Sequence, residues 1–146
     1  MKKMTIKQLI KLEDNAAEVW VVSPSLYYDT QNNDFSEIVS VNLGEKTKYK
    51  YIVPKTKEIK KSLKIYQKKY DLSSKDLKNN FLILPKTDFN PFIQEVAIYN
   101  GSTTPVACTA PAVSDGNLVI QLSPENAEKM AKSFKAIWKK HQKVDL

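Results

Sequence analysis

The sequence has 146 residues, the commonest size for one domain and too few for two ordinary cores. Its 42 % apolar residues can fill a core, and its 27 % charged residues, mixed in sign, exclude a disordered chain. No apolar run approaches a membrane span, and the N-terminal stretch mixes charge into every turn where a signal peptide needs unbroken apolar residues. A single domain over residues 1–146, a cytoplasmic location and no membrane contact are therefore expected.

The formal net charge of +7 is carried by lysine alone, because none of the 23 basic residues is arginine. Lysine is a flexible point charge suited to loose attraction of polyanions, whereas base readout and bidentate phosphate clamps recruit arginine. A sequence-specific DNA reader is thereby disfavoured, and an all-lysine surface also follows simply from an A/T-rich coding sequence. The one cysteine, Cys108, sits in an apolar, strand-like stretch and is expected to be a buried, inert thiol.

In chain order, Thr5-Ile6-Lys7-Gln8 has the capping-box pattern, and Ile6, Leu9 and Ile10 share one face of a short helix. Glu18-Val19-Trp20-Val21-Val22-Ser23 reads as a strand buried on both faces of a parallel sheet, stopped by Ser23-Pro24-Ser25. Asp34-x-x-Glu37 is expected to cap a second helix carrying Phe35, Ile38, Val39 and Leu43, with Gly44 just beyond its C-cap. A second strand follows at Lys48-Tyr49-Lys50-Tyr51-Ile52-Val53, then Pro54, then Thr56 as N-cap of a helix with the stripe Ile59, Leu63, Tyr66 and Tyr70. Phe81-Leu82-Ile83-Leu84 is a third strand, ended by Pro85.

Three short strands complete the set, at residues 95–99, 105–109 and 117–122. The turn residues Asn100-Gly101-Ser102 and Ser114-Asp115-Gly116-Asn117 between them predict antiparallel hairpins. Ser123-Pro124-Glu125 starts the last helix, with a buried stripe of Ala127, Met130, Ala131, Phe134, Ile137, Trp138 and His141 and with Lys139, Lys140 and Lys143 at its negative end. The expected fold is a single α/β domain with a mixed, mostly parallel sheet flanked by helices, antiparallel hairpins in its C-terminal half and a long C-terminal helix.

Catalytic parts are sparse. The sole histidine, His141, falls near the fraying end of the last helix, and the glycines Gly44, Gly101 and Gly116 are isolated, so neither a nucleophilic triad nor a phosphate-cradling loop is legible. No metal site and no cofactor are expected. The acid pairs Asp29 with Asp34 and Glu13 with Asp14 lie in or beside polar loops and read as turn formers and caps.

The order Glu18-Val19-Trp20-Val21-Val22-Ser23-Pro24, then Asp34-Phe35 opening a helix that ends Asn42-Leu43-Gly44, then Tyr49-Lys50-Tyr51-Ile52-Val53-Pro54, resembles bacterial phospholipase-D-like domains that have lost their active site. The closing Phe134-Lys135-Ala136-Ile137-Trp138 is similar to the end of such domains. Active members carry His-x-Lys-x-x-x-x-Asp on a strand that turns back on itself. Taking Asn100 as the Asp position, the register here reads Ile93-x-Glu95-x-x-x-x-Asn100, with every catalytic residue replaced. The resemblance implies a non-catalytic half-domain and, because such halves work in pairs, a homodimer using the strands around Val96, Ile98, Val106 and Val119 as an edge.

Three functions are compatible with this reading. The first is a non-catalytic sensor or interaction module with a small-ligand or protein-partner surface beyond the C-terminal strand ends, at Ser23, Pro24, Ser25, Tyr27, Tyr28, Asp29, Pro54, Lys55, Pro85 and Lys86. Tyr27 and Tyr28 also fit as loop anchors. The second is a nonspecific nucleic-acid or polyanion binder using the Lys46–Lys78 region, with Lys48, Lys50, Lys57, Lys60, Lys61, Lys64 and Lys68 interleaved with Tyr49, Tyr51, Tyr66 and Tyr70. Against it, helical spacing puts Tyr66 and Tyr70 on a core stripe, and a charge run is commonly a solvated face. The third is an enzyme of unrecognised type.

Overall fold

The structure is a computed structural model and describes residues 2–89, 94–111 and 119–142. The elements run β1 (Lys2–Met4), α1 (Ile6–Asp14), β2 (Glu18–Val22), α2 (Tyr27–Gln31), α3 (Asn33–Gly44), β3 (Lys48–Pro54), α4 (Lys57–Lys69), α5 (Ser74–Asn80), β4 (Phe81–Leu84), β5 (Gln94–Tyr99), β6 (Val106–Pro111), β7 (Val119–Gln121) and α6 (Pro124–Gln142). One seven-stranded sheet has the order β1-β7-β6-β5-β2-β3-β4. An α/β domain with a long C-terminal helix is what the pattern predicts.

The expected mostly parallel sheet is corrected. Only β2–β3 and β3–β4 are parallel among the described pairings, while β1–β7, β7–β6, β6–β5 and β5–β2 are antiparallel. A parallel pair needs a long crossover, which the helical connections β2-α2-α3-β3 and β3-α4-α5-β4 supply, whereas β1-α1-β2 joins strands that are not neighbours. After β4 the chain returns to the free side of β2 and pairs with it antiparallel, Trp20 opposite Ile98. The antiparallel half then continues outward: β5 pairs with β6 across the turn at Asn100, whose φ of 55° is left-handed, and the two Cys108 ladders place β6 between β5 and β7. The other expected turn, Ser114-Asp115-Gly116-Asn117, lies outside the described residues, as does Lys143.

Local starts and stops follow side-chain chemistry. The Thr5 capping box forms, with the Gln8 N–H donating to Thr5 Oγ1 at 3.2 Å and the Thr5 N–H to Gln8 Oε1 at 2.8 Å. Thr56 Oγ1 caps α4 through the Ile59 N–H at 3.1 Å, and Ser123 Oγ accepts from the Asn126 N–H at 3.2 Å at the start of α6. The cap of α3 is Asn32, whose Oδ1 accepts the Phe35 N–H at 2.9 Å, so Asp34 moves into the first turn instead of capping. Gly44 is the last residue of α3, and the left-handed position falls on Lys46, at φ 67°.

The alternation of the strands splits the core into two layers. Helices α1, α3 and α4 lie against the face that carries Val19, Val21, Tyr49, Tyr51, Val53, Phe81, Tyr99 and Cys108. The opposite face, with Trp20, Ile52, Leu82, Leu84, Ile98 and Ala107, is covered by α6 through Ala127, Ala131, Phe134 and Trp138. Trp20 stacks on Phe134 with ring centroids 4.9 Å apart, and Phe134 on Trp138 at 5.9 Å. Both tryptophans and Cys108 are buried, as their apolar settings predict, but Ile137 of the expected stripe is 37 % exposed.

For the expected dimer region, backbone pairing at an open edge is corrected, while burial of its apolar side chains against a second copy stays an expectation. Strands β5, β6 and β7, which carry Val96, Ile98, Val106 and Val119, are flanked on both sides, and the sheet ends instead at β1 and β4. The three residues of β1 cover the side of β7 that sequence spacing alone leaves open. Among the described residues, no helix is long and apolar enough to cross a membrane.

Candidate functional site

The face beneath α1 and α3 buries acids. Glu13 sits one helical turn after Leu9 and two after Ile6, so the amphipathic stripe of α1 carries its carboxyl into the core, where it is 1 % exposed. The Tyr49 hydroxyl donates to Oε2 at 2.9 Å and the Tyr99 hydroxyl to Oε1 at 3.1 Å. Asn42 Nδ2 donates to the Glu13 carbonyl at 2.9 Å and to Tyr49 Oη at 3.1 Å, tying α3 to the same cluster. Burial first, and the negative charge of Asp29 second, push the Glu13 carboxyl up to about 8 against the opposing tyrosine hydrogen bonds.

Asp29 lies in α2, 2 % exposed. The Tyr51 hydroxyl donates to its Oδ2, the Tyr66 hydroxyl donates on to Tyr51 Oη at 3.0 Å, and Tyr70 and Ser36 hydroxyls donate to its backbone carbonyl. Burial pushes its carboxyl up to about 6, opposed by the Tyr51 hydrogen bond and by Lys69. The expected reading of Glu13 and Asp29 as turn formers is thus corrected, while Asp14 and Asp34 are exposed as that reading requires.

The segment before α2 is held in an uncommon shape. Leu26 has φ 59°, a left-handed conformation that costs a bulky residue roughly 1–2 kcal/mol. It is fully buried, and Ser23 Oγ accepts its N–H at 2.8 Å, so packing and one side-chain acceptor hold the turn that aims Tyr28 and Asp29 inward.

Glu95 is the third acid. On β5 it shares the inward face with Ala97 and Tyr99, two and four residues on. It is 7 % exposed, the Ser23 hydroxyl hydrogen-bonds its carboxyl, and burial followed by Asp29 holds that carboxyl well above the usual carboxylate range. Its Oε2 has no hydrogen-bond partner among the described residues. A buried polar atom left so costs about 1–3 kcal/mol. A small cavity of about 20 Å³, enough for one water-sized group, is lined by Glu95, Asp29, Glu13, Tyr28, Phe35, Leu9, Val21, Ala97, Cys108, Thr109 and Ala110. The cavity is not sealed, and Ala97 and Thr109 of its wall are half-buried.

The predicted ligand residues divide around this cavity. Tyr28 and Asp29 line it and Ser23 bonds Glu95, while Ser25 is buried and its Oγ accepts the Tyr27 N–H at 3.2 Å. Pro24 is half-buried and Pro54 buried at the end of β3; Pro85 and Lys86 are exposed beyond β4. Lys55 lines a separate open cleft of about 450 Å³ with Thr56, Lys57, Ile59, Lys60, Leu63 and Ile83. Of these two, the cavity takes residues from the end of β2 and the cleft from those of β3 and β4. Glu13, Glu95 and Cys108 join the site without having been predicted.

The predicted polyanion surface is split by the sheet. Lys57, Lys60, Lys61, Lys64 and Lys68 are exposed on α4, but Lys48 and Lys50 alternate with Tyr49 and Tyr51 and so point to the α6 side, where Lys50 Nζ lies 5.2 Å from the Trp138 ring centre. Tyr49, Tyr51 and Tyr66 are buried in the core and cannot serve as base platforms. His141 is held at the end of α6, its Nδ1 3.0 Å from the Ile137 carbonyl oxygen. Among the described residues, no three acid, histidine or cysteine side chains come together so as to hold a metal ion. Compared with models of known protein families and with curated proteins, the sequence matches none.

Proposed function

We propose that this chain is a non-catalytic binding module, similar to an inactive phospholipase-D-like domain, which takes its ligand at the acid-lined cavity below the end of β2. The observation that carries the reading is the unpaired, buried Oε2 of Glu95 at that cavity. Buried polar atoms are paired in the great majority of cases, and the exceptions concentrate where a ligand or water completes the set. The strained turn at Leu26, beside the cavity wall, supports the same reading, since such strain gathers at binding sites.

In the register of the resemblance, Glu95 stands where active relatives carry their phosphate-binding lysine, and Asn100 stands at the aspartate position. Here Asn100 Oδ1 accepts the Ala17 N–H at 2.8 Å, a brace between the hairpin turn and the start of β2. Ile93, at the histidine position, lies outside the described residues. An acid in place of the cation argues against phosphodiester chemistry at this point.

The test is a fragment screen by protein-detected NMR on the full chain, run beside a phosphodiesterase assay. The expected result is no hydrolysis and shifted amides clustered at Leu9, Glu95, Ala97 and Ala110. Fragments that shift only α4 or α6 would refute the placement. A second reading, loose polyanion binding, is favoured by the exposed lysine row of α4 alone. Retention on heparin that falls steeply with salt and with Lys60→Gln/Lys64→Gln/Lys68→Gln would support it.

A further inference from the structure

The chain carries a net charge of +7 and 23 lysines, yet the cavity under Glu95 is lined by three of its 16 acids and by none of its lysines. We propose that this cavity receives the ammonium head of a small primary amine, with Glu95 Oε2 accepting its charge-assisted hydrogen bond. The proposal rests on the cavity's being the binding site argued above.

Three features of the site select this chemistry. Sign comes first: an anion would meet three acids and no cation on the wall. Connectivity comes second. Both Glu13 oxygens are engaged by tyrosine hydroxyls and Asp29 Oδ2 by Tyr51, so Asp29 contributes negative field, while Glu95 Oε2 is a buried acceptor with no partner among the described residues. A hard cation needs several oxygens converging, which the described residues do not provide, whereas an ammonium group is served by one strong acceptor in a negative field. Size comes third. A cavity of about 20 Å³ admits a group no larger than water, which fits –NH3+ and excludes a trimethylammonium head. The aromatic walls Tyr28 and Phe35, with ring centroids 5.7 Å apart, suit a cation, and the half-buried Ala97 and Thr109 mark the open side toward which a short alkyl tail would extend.

Binding is coupled to a proton. Glu95 is faced by Glu13 from α1, Asp29 from α2, the Ser23 hydroxyl from the loop after β2 and Cys108 from β6, with no basic side chain among the residues lining the cavity. In the empty site, burial first and the charge of Asp29 second favour the protonated form of its carboxyl. When R–NH3+ enters, that proton leaves to solvent and the carboxylate pairs with the ammonium, so the charge of the cavity is conserved. Affinity should therefore rise about tenfold per pH unit while the carboxyl is protonated in the empty site.

The experiment titrates the full chain with propylamine, by calorimetry in two buffers of different ionisation heat and by amide NMR, at pH 6, 7 and 8. Propanol, propionate and tetramethylammonium serve as controls, and Nα-acetyl-lysine amide stands for a lysine side chain from another protein. The expected result is saturable propylamine binding with release of protons, tightening as pH rises by at most about tenfold per unit, and shifts at Ala97 and Ala110. Glu95→Gln should weaken it at least tenfold and remove the pH dependence; the proton release of the unaltered chain decides the matter should that variant not fold. Binding of acetyl-lysine amide with equal strength would assign the ligand to a protein side chain, and its exclusion would assign it to a free amine. Propanol binding as well as propylamine, or binding with no proton release, overturns the amine while leaving the cavity as a site. Shifts at the cavity from no probe, together with fragments that bind elsewhere, overturn both.

Discussion

Glu13→Gln should remove the pH dependence that one buried acid imposes on the fold. The folded chain holds the Glu13 proton up to about pH 8, whereas the unfolded chain releases it near 4.5, so folding takes up a proton between those limits and stability falls as pH rises through them. The stabilisation is complete below pH 4.5 and gone above the folded value. At about 1.4 kcal/mol for each factor of ten in proton affinity, the whole interval is worth about 5 kcal/mol, most of it already lost by pH 7. Glutamine keeps one acceptor for a tyrosine hydroxyl, turns the other position into a donor toward the second tyrosine, and carries no proton to lose. In urea denaturation followed by tryptophan fluorescence from pH 5 to 8.5, the variant should gain on the unaltered chain by about 1.4 kcal/mol per pH unit up to about pH 7.5 and level off above 8. Two parallel curves would mean that Glu13 is already ionised in the folded protein, and the burial argument for the whole acid cluster would fail with it.

Gly101→Ala should destabilise by about 1–3 kcal/mol or more, because its Cβ would lie 2.3 Å from the Trp20 ring and Phe134, stacked on Trp20 at 4.9 Å, opposes retreat; a lower urea midpoint with altered near-ultraviolet circular dichroism checks it. Trp138→Ala should cost about 3–5 kcal/mol, as it empties the end of the α6 stripe and removes the ring under Lys50; an unchanged midpoint would show that the α6 layer is not packed as described. Glu95→Leu should stabilise the empty protein at pH 7 by about 1 kcal/mol, since it replaces an unpaired buried oxygen with apolar volume. A loss of more than that would show that the Ser23 hydrogen bond outweighs the orphaned oxygen.

The parts of the fold that were legible are those set by neighbours in sequence. Thr5, Thr56 and Ser123 sit before apolar stripes and cap them, and the β-branched run at Val19–Val22 is a central strand because both of its faces are buried. Sheet order was not legible, because pairing β5 with β2 depends on which edge is free when the chain returns, and the Trp20–Ile98 register is made by residues far apart in sequence. Segments β1 and α2 are too short to show a period, and α5, Ser74–Asn80, has Leu77 as its only apolar residue. The acids were misread by position relative to loops, although periodicity held a usable signal. Glu13 follows Ile6 and Leu9 at helical spacing, and Glu95 precedes Ala97 and Tyr99 at strand spacing. Asp29 offers no such signal, since the turn that buries it depends on Leu26 adopting a left-handed conformation.

Satisfaction of hydrogen bonds separates two of the buried acids in this core from the third. Glu13 and Asp29 each have tyrosine donors supplied by β3, and those tyrosines are themselves linked, Tyr51 to Tyr66 and Tyr49 to Asn42, so that α1, α2, α3 and α4 are registered against one strand. In that network both Glu13 oxygens and Asp29 Oδ2 have a tyrosine partner, Asn42 donates through Nδ2 while its Oδ1 has no partner among the described residues, and apolar replacement of one member would strand another. Glu95 does not belong to it. It is bonded by the Ser23 hydroxyl and not by a tyrosine, faces the same two acids without donors from them, and leaves an oxygen at a cavity that no described side chain fills. A buried acid that only served packing would be replaced by leucine with gain, whereas a site for an incoming donor must keep the acceptor unpaired until that donor arrives. The Asp29 carboxylate then sets the field, and the proton on Glu95 sets the condition under which a cation can displace it.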